Sequence, residues 1–494
     1  MIRRTSLAFL GFTFVLNAFG GGREEYTRTF DKTLTLRSNQ KVYVQHRYGD
    51  ITIKTHSEPD VVIHADIKVS GPDTNQAKAF ADRVEILVDP GATELVIKTR
   101  YPDEAHSMGI KNCSYVVRYE LTIPETAPLA VRNSFGSVSV AGLKANSELM
   151  SSHGAIDFHD GRGTQRLENS FATVRVANNS GDVEVEASNG AVRAEDIAGA
   201  LSVRDRFASI TAVRISKGVT VTNSNGGVHV TDSGGPGIIK NSFGGVTVHG
   251  FKGDLTVDNT NGKVEATNVE GAAELRTTFG EVQFGDVGHQ LSIRASNSRI
   301  SGERVGGPLT IVNSFGPVTV SDVQNGVSIT SGNGGVSLAN IRGEASVKTS
   351  FGMVRANDIG GSLLVENSNG GVQASNVKGA QVTTSFGSVM LDKVSGPLRV
   401  VDQNGSVDVT SSLSDTCQPI LIRTSFSTLR IRLQPDASYR VTARTSFGSI
   451  RTDFPLNVSG SLSNDSLNSV IGSGHCEMTL TNTNGSIEIL KAGA

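Results

Sequence analysis

The chain contains no tryptophan, only seven tyrosines and three cysteines, and its 46 basic residues nearly cancel its 48 acidic ones. So even a balance excludes the positive field that nucleic-acid binding requires. The cysteines, Cys113, Cys417 and Cys476, show no C-x-x-C spacing and the ten histidines are scattered, so no metal site is expected. No nucleophile elbow, phosphate loop or zincin motif occurs; glycine-rich runs such as SNGGVHVTDSGGPG lack the lysine and the helix that a phosphate loop needs. No catalytic residue, cofactor-binding residue or metal ligand is assigned. Beyond the first twenty or so residues no long apolar run appears, which excludes a membrane-spanning helix in the mature chain.

What is present begins with MIRRTSLAFLGFTFVLNAFGGGREEY, where Arg3 and Arg4 precede an apolar run from Leu7 to about Phe19. Small residues around Ala18-Phe19-Gly20 then offer a cleavage site. This is the layout of a signal peptide over residues 1–22, and it implies export to the periplasm, cell surface or medium. No cysteine follows the run, so a bacterial lipoprotein anchor is not expected.

The dominant feature is a period. Phenylalanine recurs at Phe135, Phe171, Phe207, Phe243, Phe279, Phe315 and Phe351, every 36 residues, and then at Phe386 after a one-residue deletion. Midway stand His153, Asn189, Asn225, Asn261, Asn297, Asn333 and Asn369, with Asn404 following. Counting from either residue, apolar side chains fall at positions three, five, eight, twelve and fourteen, as in Val246, Val248, Phe251, Leu255 and Val257. Pairs spaced by two mean extended chain with one buried face, and the wider gaps mark corners. Glycine at position ten, as at Gly199 and Gly253, suits a corner that needs positive φ or close backbone approach. Eighteen residues thus make one coil of a single-stranded β-solenoid, an all-β fold with a 36-residue double repeat. At about 4.8 Å per coil, the sixteen regular coils give a rod of roughly 75 Å.

Two columns invite a functional reading. A phenyl ring is taller than one coil spacing, so alternation with Asn gives each ring two layers; the expectation is a packed corner wedge, and the alternative is an exposed ladder built for a partner. Position seven carries Asp196, Asp232, Asn268, Asp286, Asp322, Asn340, Asp358 and Asn376, interrupted by Arg214, Gly250, Arg304 and Lys393. No two Asp occupy adjacent coils, so the column is expected to turn corners rather than to hold calcium.

The ends differ. Residues 23–130 read as a β-rich cap with one helix near Asn75 to Asp82, in which HRYGDITI echoes NSFGSVSV and makes Tyr48 a candidate first coil. Residues 131–410 are the regular solenoid, and 411–494 an irregular end with its own cap. Cys417 and Cys476 are the candidate cysteine couple, but the repeat places them about three coils apart, beyond disulfide reach unless the end folds back.

The arrangement YRVTARTSFGSIRTDFPLNVSG followed by IGSGHCEMTLTNTNGSIEI, with the recurring S-F-G or S-N-G turn before V-x-V, resembles a bacterial domain family of unknown function that carries an adhesin label. The resemblance implies a β-solenoid with a surface or envelope role and no catalytic residues. Three functions follow for comparison. The first is a non-enzymatic adhesin or envelope protein presenting long polar faces to an unidentified surface, polysaccharide or protein. The second is a self-assembling envelope scaffold, and the third a polysaccharide-active β-helix enzyme, against which the evenly spread acids count.

Overall fold

In the computed structural model the described residues are 23–102, 113–412, 417–458 and 464–492; the signal peptide expected over residues 1–22 lies outside them. The chain is a β-solenoid of about 17 turns with 18-residue spacing. Its strands pair in parallel with their own counterparts one turn later: Val246 faces Val264, which faces Val282, which faces Ile300. The positions expected to be apolar form the core, with Val246, Val248, Phe251, Leu255 and Val257 all buried. Large and small residues exchange between neighbouring turns to keep the section constant. Phe284 fills the space above which Gly302 stands, where a Cβ would come within 2.5 Å of the ring.

The corners follow from backbone chemistry. At position seven every non-glycine residue from Asp160 to Lys393 adopts φ between 54° and 60°, with Arg214, Arg304 and Lys393 following the same path as Asp and Asn. The column is therefore a left-handed corner, as expected. Gly199 at position ten has ordinary φ; a Cβ there would meet the backbone of Gly181 at 2.3 Å, so close approach is the reason for glycine. The one-residue deletion is absorbed at a single corner, between Ile359 opposite Val377 and Ser362 opposite Gly379.

A column that the periodic reading passed over lies two residues before each Phe or Asn. Asn133, Asn169, Asn223, Asn241, Asn259, Asn313, Asn367 and Asn482 are all buried there. The Asn259 amide donates to the carbonyls of Gly244 (3.1 Å) and Gly262 (3.3 Å), and Asn241 does the same for Gly226 and Gly244. One side chain thereby clamps the inward-turned carbonyls of two successive corners, groups that would otherwise be buried without donors.

Chain order and spatial order part company at both ends. Lys41–Gln45 pairs with Glu94–Arg100 on one side and Leu129–Asn133 on the other, so an early turn is sandwiched between two later ones. Tyr48 bridges Phe135 and does begin the coil pattern. The exposed edge beyond is closed by antiparallel pairs, with helix α1 (Thr74–Ala81) packed on them. At the other end Cys476–Asn484 inserts between Ile420–Phe426 and Tyr439–Thr445.

This insertion overturns the expected separation of the cysteines. The end does fold back, Cys417 and Cys476 approach to 5.9 Å between Cα atoms, and they form a disulfide 59 residues apart in sequence. Cys113 is free. Loss of the bridge in a Cys417→Ser, Cys476→Ser protein is expected to lower unfolding stability by about 2 to 4 kcal/mol, read by denaturant unfolding, with the deficit confined to the C-terminal turns in hydrogen exchange.

Candidate functional site: an exposed phenylalanine ladder

The turn that carries Phe is set by its neighbours. In Asn241-Ser-Phe-Gly the buried Asn holds the corner carbonyls, Phe243 ends the strand, and Gly244 takes φ of 119° one residue on. That geometry points the position-zero side chain away from the rod axis. The ten rings at Phe135, Phe171, Phe207, Phe243, Phe279, Phe315, Phe351, Phe386, Phe426 and Phe447 are 41% to 75% exposed. The expected corner wedge is thus corrected: these rings pack no corner, and the exposed ladder is what the fold builds.

Spacing in the ladder survives the exchange of chain order. Phe386 faces Asn404, Phe426 faces Asn484, and the pairing of Thr445 with Asn482 sets Phe447 on Asn484 from the far side. Phe and Asn therefore alternate in space although residues 427–484 do not alternate in sequence. Rings stand about 9.6 Å apart over roughly 85 Å. Between them Asn189, Asn225 and Asn404 fold back to donate to the carbonyls of Ser170, Arg206 and Ser385 in the preceding turn.

One slot is filled. His153 occupies the layer between Phe135 and Phe171, stacked at 4.6 and 4.7 Å, and Tyr48 stacks on Phe135 at 5.4 Å. Rings in adjacent turns fit face to face, because a flat ring is thin along the axis even though it is tall across it. Crowding therefore does not explain the alternation.

Elsewhere the polar groups are tied to one another. Arg214 bonds Asp196 at 2.5 Å, Arg304 bonds Asp286 at 2.6 Å, and Asn340 and Asn376 donate to Asp322 and Asp358. Each of these four carboxylates has its donor in the next turn, and the carboxyls of Asp196 and Asp286 are held below the usual range by those bonds. A groove of about 570 Å³ beside the disulfide is lined by Ser438 and His475, and Ser473 Oγ lies 2.8 Å from His475 Nδ1. Among the described residues no carboxylate bonds the second ring nitrogen of His475, which leaves the pair without the orienting acid of a nucleophilic triad. Near the N-terminal end His46 is buried between Thr99 and the Val117 carbonyl, and burial depresses its pKa to about 4.

No family model and no curated protein matches the chain, so the adhesin-family resemblance is carried by the turn motif alone. Among solved structures, a crystal structure described as a "putative cell adhesion protein" from Clostridium sporogenes is similar at 11% identity and a TM-score of 0.23. The match covers 36% of this chain and all of that one. No helix among the described residues is long and apolar enough to cross a membrane.

Asp402 stands in the buried Asn column without the amide that the position uses. Burial raises its pKa to about 6, the nearby backbone N–H groups of Asn404 and Gln403 offsetting this only in part. Neither carboxylate oxygen completes a hydrogen bond. The folded chain therefore binds a proton more tightly than the unfolded one, and stability falls as pH rises from about 4 to about 6. Asp402→Asn is expected to add roughly 1 to 2 kcal/mol at pH 7, allowing for solvent near the corner, and little at pH 4. Paired denaturant titrations at the two pH values check this.

Proposed function

We propose that this protein is an exported, non-catalytic rod, an adhesin or envelope-binding protein that works by contact along its length. The carrying observation is the ladder: ten half-exposed rings in one file, a surface that costs solubility unless something covers it. The N-terminal layout supports export, and the pairing of acids with Arg or Asn in neighbouring turns argues for a solvated face rather than for general acid chemistry.

The test uses the mature chain, residues 23–494, on immobilised envelope polysaccharides, on matrix proteins and on copies of itself, with product release followed in the same wells. Retention on at least one surface is expected, weakened roughly tenfold or more when Phe243, Phe279 and Phe315 are changed to Asn. Release of product from a polysaccharide would overturn the non-catalytic reading. Retention indifferent to the three substitutions would remove the ladder from it.

A further inference from the structure

We propose that the ladder's partner is a second copy of this chain, the two rods lying side by side with the rings of each inserted into the slots of the other. This rests on the ladder being a contact face, and it names what the face contacts.

The slot itself supplies the first argument. Rings about 9.6 Å apart leave room for one more ring midway, about 4.8 Å from each neighbour, within the 4.5 to 7 Å at which aromatic pairs are favourable. His153 already demonstrates the occupied state, at 4.6 and 4.7 Å from Phe135 and Phe171. From Asn189 to Asn484 the slots hold an amide, and in three of them it is seen bonded back to the preceding turn.

Period decides which partner can fill many slots at once. A partner whose axial repeat differs slightly falls out of step after a few rungs, whereas a copy of this chain has the same repeat by construction. The stacked rings at the N-terminal end, Tyr48, Phe135, His153 and Phe171, turn their faces along the axis and offer only edges to a polymer lying beside the rod. That arrangement suits an inserted ring and gives a sugar chain no platform.

Charge and area agree. Like meets like when identical faces pair, so the face must be nearly neutral. From Phe135 onward the residue before each rung or slot is uncharged in every layer except that of Arg206, and two residues after each rung or slot charge stands only at Lys263, Glu281 and Arg299, which nearly cancel. The nine rings from Phe171 to Phe447 are about half exposed. At roughly 200 Å² per aromatic side chain they offer on the order of 900 Å² per partner, comparable to the roughly 800 Å² of a standard interface.

Symmetry then fixes the direction. Two parallel copies related by a two-fold along the rod would set ring against ring at equal height. An antiparallel pair about a perpendicular two-fold can be offset by one turn and still close as a dimer.

The experiment is sedimentation of the mature chain at low micromolar concentration, with circular dichroism confirming the fold of each protein. Two variants accompany the wild type. Phe243→Asn, Phe279→Asn and Phe315→Asn together copy the neighbouring layers. Asn261→His, Asn297→His and Asn333→His together fill three central slots as His153 does. A wild-type dimer is expected, with association weakened roughly tenfold or more in affinity, toward monomer, in both variants. The second variant carries more aromatic surface, so generic stickiness would strengthen its association whereas interdigitation is blocked. A wild type that stays monomeric overturns the inference, as does a slot-filled variant that pairs as tightly as the wild type. A monomer retained on a polysaccharide or matrix surface overturns self-pairing and leaves the binding rod standing.

Discussion

Everything in this molecule depends on the chain closing one lap in eighteen residues, so that each strand residue meets its own counterpart one turn on. Parallel pairing then satisfies the backbone, and identical positions fall into columns that run the length of the rod. A column multiplies whatever chemistry one position has. Buried Asn becomes a row of clamps on corner carbonyls, left-handed Asp and Asn become a file of tied carboxylates, and position zero becomes a ladder. A single turn buries too few apolar side chains to offset the ordering of its own backbone. Stability therefore resides in the stacking of turns, and it is greatest where a turn has neighbours on both sides.

The same arithmetic explains the ends. An outermost turn has one neighbour and an open hydrogen-bonding edge, which invites fraying or unwanted strand addition. At each end the structure places a sequence-terminal turn inside rather than outside: Lys41–His56 beneath Leu129–Ala141, and Cys476–Lys491 between Ile420–Leu433 and Tyr439–Thr452. Antiparallel strands then cover what remains, and the disulfide ties the start of one exchanged strand to the approach of its neighbour.

Periodicity made the fold, the core positions and the left-handed corner legible in the sequence, because each is a local consequence of where the chain bends. Direction at a convex corner is different. The same eighteen-residue pattern is compatible with a ring packed into the corner or thrown outward, and the choice rests on which carbonyls turn inward. The signal was present in Asn241, Asn259 and Asn313, always two residues before the turn, but polar residues draw little notice in a search for apolar spacing. The cysteine bridge was hidden for another reason. Distance along a solenoid can be counted from sequence only while spatial order follows chain order, and between Ile420 and Lys491 it does not.

The strand Cys476–Asn484 lies between two turns made earlier in the chain, so the far end of the rod cannot be finished in the order in which residues become available. Turns up to Leu433 can be laid down one upon another as the polypeptide emerges, while Tyr439–Thr445 waits for a segment that comes later. A molecule interrupted before Ile487 keeps a regular shaft and an unsealed tip, which makes the seal a built-in record of whether the strands of Cys476–Lys491 arrived.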